Sequence, residues 1–193
     1  MYFVRISKIF IILCCSLVLF SCSNTDMPLP YGYFRVDLPA HNYKALDADG
    51  TYKFDYSTSA EVQQHLEKGH EKWVDIKYPY LNASIYCSYL PVNCNLEQLL
   101  EDGRKFVYKH SVKADGIAEK VYLHPEKRVY GILYDLKGNT ASSVQFILTD
   151  SSKHFFRGSL YFDNVPNKDS IAPMVKYIRE DVIRIMESFE WKK

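Results

Sequence analysis

Four strand-like segments crowd into one stretch of the chain, at 118–124, 128–136, 141–149 and 155–162, with only turn-length gaps between them. Parallel neighbours need a crossover of about a dozen residues or more, which these gaps cannot hold, so the strands must pair antiparallel. Lys137-Gly138-Asn139 supplies residue types that tolerate positive φ at one of the turns. Such a sheet has apolar faces to cover, and the chain offers two amphipathic helices for the purpose. The first follows Asn95, where Asn95-Leu96-Glu97-Gln98 has the form of a capping box and Leu96, Leu99, Leu100, Phe106 and Val107 keep helical spacing. The second spans 171–189, with Asp169-Ser170 as its predicted cap, Pro173 in its first turn and Val175, Ile178, Val182, Ile185, Met186 and Phe189 as an apolar stripe. The expected class is α+β: an antiparallel sheet covered by two amphipathic helices.

Upstream, 33–39 and 52–56 alternate apolar and polar residues and read as strands, the first ended by Pro39. Segments 73–78 and 82–90 read likewise, the second with Ala83, Ile85, Cys87 and Tyr89 on one face. The polar stretch 58–72 is ambiguous, with Ser59 a candidate cap for a short helix running to Gly69. At 47% hydrophobic and 15% aromatic, the 193 residues exclude intrinsic disorder and allow one substantial core. No repeat or internal linker is visible, so 31–193 is expected to form a single α+β domain. The element order resembles small periplasmic and lumenal domains of the PsbP/Mog1 type.

Residues 1–21 have the parts of a secretory signal: Arg5 and Lys8 form a positive start, and Ile9 through Phe20 an apolar run. That run is shorter than the roughly 20 residues a membrane-spanning helix needs. Leu19-Phe20-Ser21-Cys22 resembles a bacterial lipobox, with Phe20 bulkier than usual. Cys22 is therefore the expected lipidation site, its thiolate taking a diacylglyceryl group as a thioether before cleavage on its N-terminal side. Acyl chains at about 0.8 kcal/mol per buried CH₂ then hold the domain on a membrane. Residues 22–30, with Pro28 and Pro30, read as a lipidated tether. No Asp directly follows Cys22, which favours the outer membrane over the inner, with the domain facing the periplasm.

Of five cysteines, Cys14 and Cys15 leave with the signal and Cys22 is lipidated. Cys87 and Cys94 remain, in an oxidising compartment. Their spacing permits a disulfide closing a small loop; two unpaired buried thiols are the alternative. Once Arg5 and Lys8 are removed, the other 22 basic residues face 23 acidic ones, so no basic excess points to nucleic acid.

Little in the chain promises catalysis, and no cofactor is implied. His65 and His70 invite a metal reading, but five residues set the rings about 140° apart on any helix, and the HExxH motif needs four. No phosphate-binding loop and no GxSxG elbow occur. Asp135 and Asp150 each close a strand beside a turn; a carboxylate pair can serve acid–base work, yet such aspartates more often cap turns. Ser142-Ser143 beside Gln145 read as strand edge rather than nucleophile. The tyrosines, among them Tyr78, Tyr80, Tyr86 and Tyr89, offer a rigid amphipathic contact surface where they face outward.

One family shares long unusual strings with this chain: PYGYFRVDLP at 30–39, FDY at 54–56, WVDI at 73–76, GNTASSVQFILTD at 138–150, KHFFRGSLYF at 153–162 and SFEWK at 188–192. With Pro166-Asn167 and Asp169-Ser170-Ile171 they resemble the gliding motility lipoprotein GldD family of the Bacteroidota. The resemblance implies a cell-envelope lipoprotein whose partners are envelope proteins of the gliding or type IX secretion machinery, with no catalytic residue and only the lipidated Cys22 carried over. The alternative is a periplasmic ligand-binding domain or enzyme acting on cell-wall or lipid material. Asp169-Ser170-Ile171 also resembles the short O-glycosylation sequon of Bacteroidota periplasmic proteins, making Ser170 a candidate acceptor.

Overall fold

The computed structural model describes residues 36–48, 50–65, 67–69, 72–109, 114–163 and 168–192. The signal peptide, Cys22 and the tether lie outside the described residues, as does His70. The strands are β1 (Tyr43–Ala48), β2 (Tyr52–Ser57), β3 (Glu61–Gln64), β4 (Val74–Tyr78), β5 (Ala83–Pro91), β6 (Ala114–His124), β7 (Val129–Gly138), β8 (Ser142–Thr149), β9 (His154–Phe162) and β10 (Glu190–Trp191). Helix α1 (Leu96–Lys109) separates β5 from β6, and α2 (Lys168–Ser188) follows β9.

Seven strands form the main sheet in the order β3-β4-β5-β9-β8-β7-β6, and β1-β2-β10 form a small one. All the pairings are antiparallel, as the short connections require. The α+β class with two covering helices is thus the one the strand spacing predicts. The two faces of the main sheet are covered differently. On one, Ile178, Val182, Ile185 and Met186 of α2, Phe189 just after it, and Tyr52 and Phe54 of β2 pack on Ile76, Ile85, Phe146, Phe156 and Leu160. On the other, Val107 of α1 packs with Tyr134, Leu136, Ile147 and Phe155. Strand β8 is buried along its whole length because it lies beneath both layers.

Several local expectations need correction. The alternation at 33–39 does not mark a strand in its described part: Val36 and Leu38 pack against the core without pairing, and the first strand starts at Tyr43. Alternation reports burial, and burial does not require a ladder. The ambiguous stretch holds β3 and not a helix, because the edge of β4 offers it a hydrogen-bonding partner. Asp169 and Ser170 sit inside the first turn of α2, since the helix already begins at Lys168. Pro173 is its sixth residue, so the bond its missing N–H would have made to Asp169 is absent. Finally, β10 pairs with β2, a short return after α2 that its two residues did not announce.

Candidate docking surface

The uncovered ground lies on the α1 side. Gly103 lets α1 sit down on β8: a Cβ there would fall 2.7 Å from Ile147 Cδ1. Seated this closely, α1 covers the middle of the sheet and leaves both flanks open. On one flank is β6, an edge strand of 11 residues whose pairing partner among the described residues is β7 alone. Its outer N–H and C=O groups form a template for another chain. Val121 and Leu123 on this strand are 64% and 66% exposed. Val121 lies opposite Ile132 of β7, so both point to the α1 side.

Ile132 also lines a groove of about 680 Å³ between α1 and the sheet, with Leu100, Arg104, Tyr108, Glu119 and Tyr134. The Tyr108 hydroxyl donates to Glu119 at 2.9 Å, bridging helix and edge strand, and Arg104 stacks over the Tyr108 ring at 5.5 Å. Burial, and then the charge of Glu119, pushes the Tyr134 hydroxyl up from its ordinary range. Lone exposed apolar residues are ordinary. Leu100, Tyr108, Val121 and Leu123 instead cluster around one groove and one edge strand.

The residues singled out in the sequence fall elsewhere. Asp150 is a turn cap: its Oδ1 accepts the backbone N–H groups of Ser152, Lys153 and His154 at 2.9, 2.7 and 2.8 Å. Asp135 holds Arg179 of α2 through two hydrogen bonds, at 2.6 and 2.8 Å. The two carboxylates have separate partners and share no pocket lining. Ser142, Ser143 and Gln145 are buried in an interior strand, not at an edge. His65 bonds Asp75 at 3.0 Å. Cys87 and Cys94 are both free: Cys87 is buried in β5, where burial pushes its thiol up, and Cys94 is exposed. No disulfide joins them, and only one of the two thiols is buried. Ser170 is exposed in the first turn of α2. Tyr78 and Tyr89 belong to the core, while Tyr80 and Tyr86 are exposed. Among the described residues no group of His, Cys, Asp and Glu converges as a metal site, and no helix there is long and apolar enough to cross a membrane.

The sequence reading missed Asp181. This carboxylate is fully buried on α2, accepting from Tyr78 at 2.9 Å and facing His41 Nδ1 at 2.8 Å. Its position between Ile178 and Ile185 on the apolar stripe was the available signal.

The sequence profile of the family described as gliding motility lipoprotein GldD matches residues 23–191. The chain belongs to that family. GldD membership makes it a lipid-anchored envelope protein connected with gliding motility. The match takes in α1 and β6, so the exposed surface belongs to the family domain. No curated protein matches the chain. Among solved structures, the solution structure of cyanobacterial PsbP (CyanoP) from Synechocystis sp. PCC 6803 is similar, at 13% identity and a TM-score of 0.48 over 84% of this chain and 99% of that one. A likeness at that level bears on no residue's role.

Proposed function

We propose that this GldD-family protein is a non-enzymatic accessory subunit of the gliding or type IX secretion machinery of the Bacteroidota. In this reading Cys22 carries the lipid, the domain faces the periplasm, with the outer membrane favoured, and the work is protein–protein contact. The open β6 edge beside an apolar groove carries the proposal. An extended segment of an envelope partner adds to that edge through main-chain hydrogen bonds and seats alternate apolar side chains near Val121 and Leu123. A photo-crosslinking residue at Val121, set against one at the exposed Asp47, tests this in the gliding host. An adduct with an envelope protein at Val121 only is expected. No adduct there, or equal adducts at both positions, would overturn it. Fatty-acid labelling lost in Cys22→Ser checks the anchor, and intact mass of the native protein shows whether Ser170 carries a glycan.

A second reading, binding or processing of cell-wall or lipid material, has one observation in its favour. A cleft of about 760 Å³ gathers Lys72, Arg128, Lys153, His154 and Trp191. There the His154 ring stacks on Trp191 at 5.0 Å and its Nδ1 bonds the Tyr89 hydroxyl at 2.8 Å. Loss of gliding in a Lys72→Ala/Lys153→Ala variant that keeps its partner adduct would favour this reading.

A further inference from the structure

The other flank left open by α1 holds a cation with no ion-pair partner among the described residues. Arg157 of β9 is half-buried, and no carboxylate among the described residues lies within ion-pair distance of it. Its Nε donates to Ser88 Oγ at 3.0 Å, and the Phe106 ring of α1 covers its face at 4.3 Å. These contacts fix the guanidinium plane and leave both terminal nitrogens without a hydrogen-bond partner among the described residues. Burial holds the Arg157 pKa below its ordinary value, the signature of a cation kept partly dry. Structural arginines in such positions are generally paired with an acid.

Around it is a pocket of about 280 Å³ whose wall includes His65, Asp75, Tyr86, Ser88, Ser159 and Tyr161. Tyr86 and Tyr161 meet edge to face at 5.8 Å and form one side. Ser159 donates to Gln145 Oε1 at 3.4 Å, and Gln145, 5% exposed, leaves its buried Nε2 without a partner. A guanidinium fork, hydroxyls and an unsatisfied amide thus gather on one flank of the sheet.

We propose that this pocket binds a small ligand through a carboxylate, held by the terminal nitrogens of Arg157. A monoanion fits better than phosphate because one guanidinium supplies one charge, and Asp75 in the same wall repels a dianion. The carboxylate can come from a free organic acid or from the C-terminus of a protein chain; the volume suits either head group. The site lies on a different part of the α1 side from the β6 edge, so neither depends on the other.

Saturation-transfer NMR on the full chain in mild detergent tests this with N-acetylglycine as probe and N-acetylglycinamide as its neutral counterpart. Binding of the acid and not of the amide is expected, with Arg157→Gln weakening it about tenfold or more. Gln keeps a donor for Ser88, and an unchanged melting temperature shows that the fold survives. Ser159→Ala, a smaller change, is expected to weaken binding severalfold and covers the case in which Arg157→Gln fails to fold. A blocked tripeptide ending in a glycine carboxylate separates the sources: binding tighter than N-acetylglycine marks a chain end, and weaker binding a free acid. Equal binding of acid and amide, preference for inorganic phosphate, or acid binding untouched by both variants would overturn the proposal.

Discussion

Replacing Asp181 by Ala is expected to cost the fold about 2–4 kcal/mol, because it takes a buried hydrogen-bond acceptor from a buried hydroxyl and from a half-buried ring nitrogen. The magnitude follows from what the carboxylate leaves behind. Tyr78, 2% exposed, donates to Oδ2 at 2.9 Å and cannot turn to water. An unpaired buried hydroxyl alone costs about 1–3 kcal/mol. His41 Nδ1, 2.8 Å from Oδ1, loses the contact that anchors the segment leading into β1, though its Nε2 still reaches Glu180 at 3.0 Å. Burial first, and then the charge of Asp181 and a hydrogen bond to it, push the Tyr43 hydroxyl up to about 12. Several polar side chains therefore depend on one carboxylate. Tyr78→Phe removes only one of its donors, so a cost near 1 kcal/mol is expected. Urea unfolding of both single variants and the double variant gives the coupling. Because the double variant no longer strands the hydroxyl, the two losses should fall short of additive by about 1–2 kcal/mol. Strict additivity, or an Asp181→Ala cost under about 1 kcal/mol, would show that the network does not carry this load.

The Asp150 cap makes an acid-limb prediction. Burial alone would raise this carboxyl, but hydrogen bonds from the Lys153, Ser152 and His154 N–H groups and the Ser152 hydroxyl outweigh it and bring the pKa from 3.8 to about 2. Because the folded value is depressed, the stabilisation is full above pH 4 and is lost as pH falls through about 2. Discounted for solvent screening it amounts to about 1 kcal/mol, and Asp150→Asn should flatten that part of the urea-midpoint profile. Gly131→Ala should cost about 2–3 kcal/mol in the same assay, since its Cβ would lie 2.2 Å from the backbone oxygen of Ile147. Gly116→Ala, with nothing within 4 Å of its Cβ, is the control and should be near neutral. In native protein Cys94 should react with a maleimide at once and Cys87 only after unfolding; a protein with no reactive native thiol would contradict the free pair.

What the sequence showed and what it hid divide along a physical line. Period-two and period-3.6 patterns located β2, β4, β5, β7, β8, β9 and both helices because each buries a face, and burial leaves a compositional trace; the strand read at 118–124 is the C-terminal part of β6. Strand β3 left no such trace: its burial is slight and it exists because β4 has an edge to pair. Strand β10 is two residues long and has no period at all. In its described part, 36–39, the strand read at 33–39 is absent from the opposite cause, since Val36 and Leu38 are held by side-chain packing without strand pairing. The docking surface was half legible. Outward tyrosines were expected, yet Val121 and Leu123 look in sequence like any buried strand pair, and only the position of β6 at the end of the sheet exposes them. Arg157 was hidden for a related reason: an unpaired cation is recognised by the absence of an acid in space.

The two sides of the sheet divide stability from contact. On the α2 side a helix of 21 residues and the small sheet cover the strands together, and the rings of Tyr52, Phe54, Phe156 and Phe189 pack, stacked or tilted, into one aromatic centre. Substitution there meets dense packing and is costly. On the α1 side, among the described residues, a helix of 14 residues lies over the seven-stranded sheet, held close by the missing side chain of Gly103. It cannot reach both edges. A chain under selection for stability alone would blunt the β6 edge with charge or proline. Here the strand carries Asp115, Glu119 and Lys120 and a bulge at its start, between Ala114 and Gly116, yet keeps Val121 and Leu123 exposed on the α1-side face. The opposite flank is likewise left open, with a half-buried arginine that has no ion-pair partner among the described residues. Exposed apolar side chains on an edge strand and a half-buried cation without an ion pair among the described residues each carry a standing free-energy cost in the isolated domain. Both sit on the lightly covered side, where a partner chain or a ligand can relieve that cost without disturbing the aromatic core.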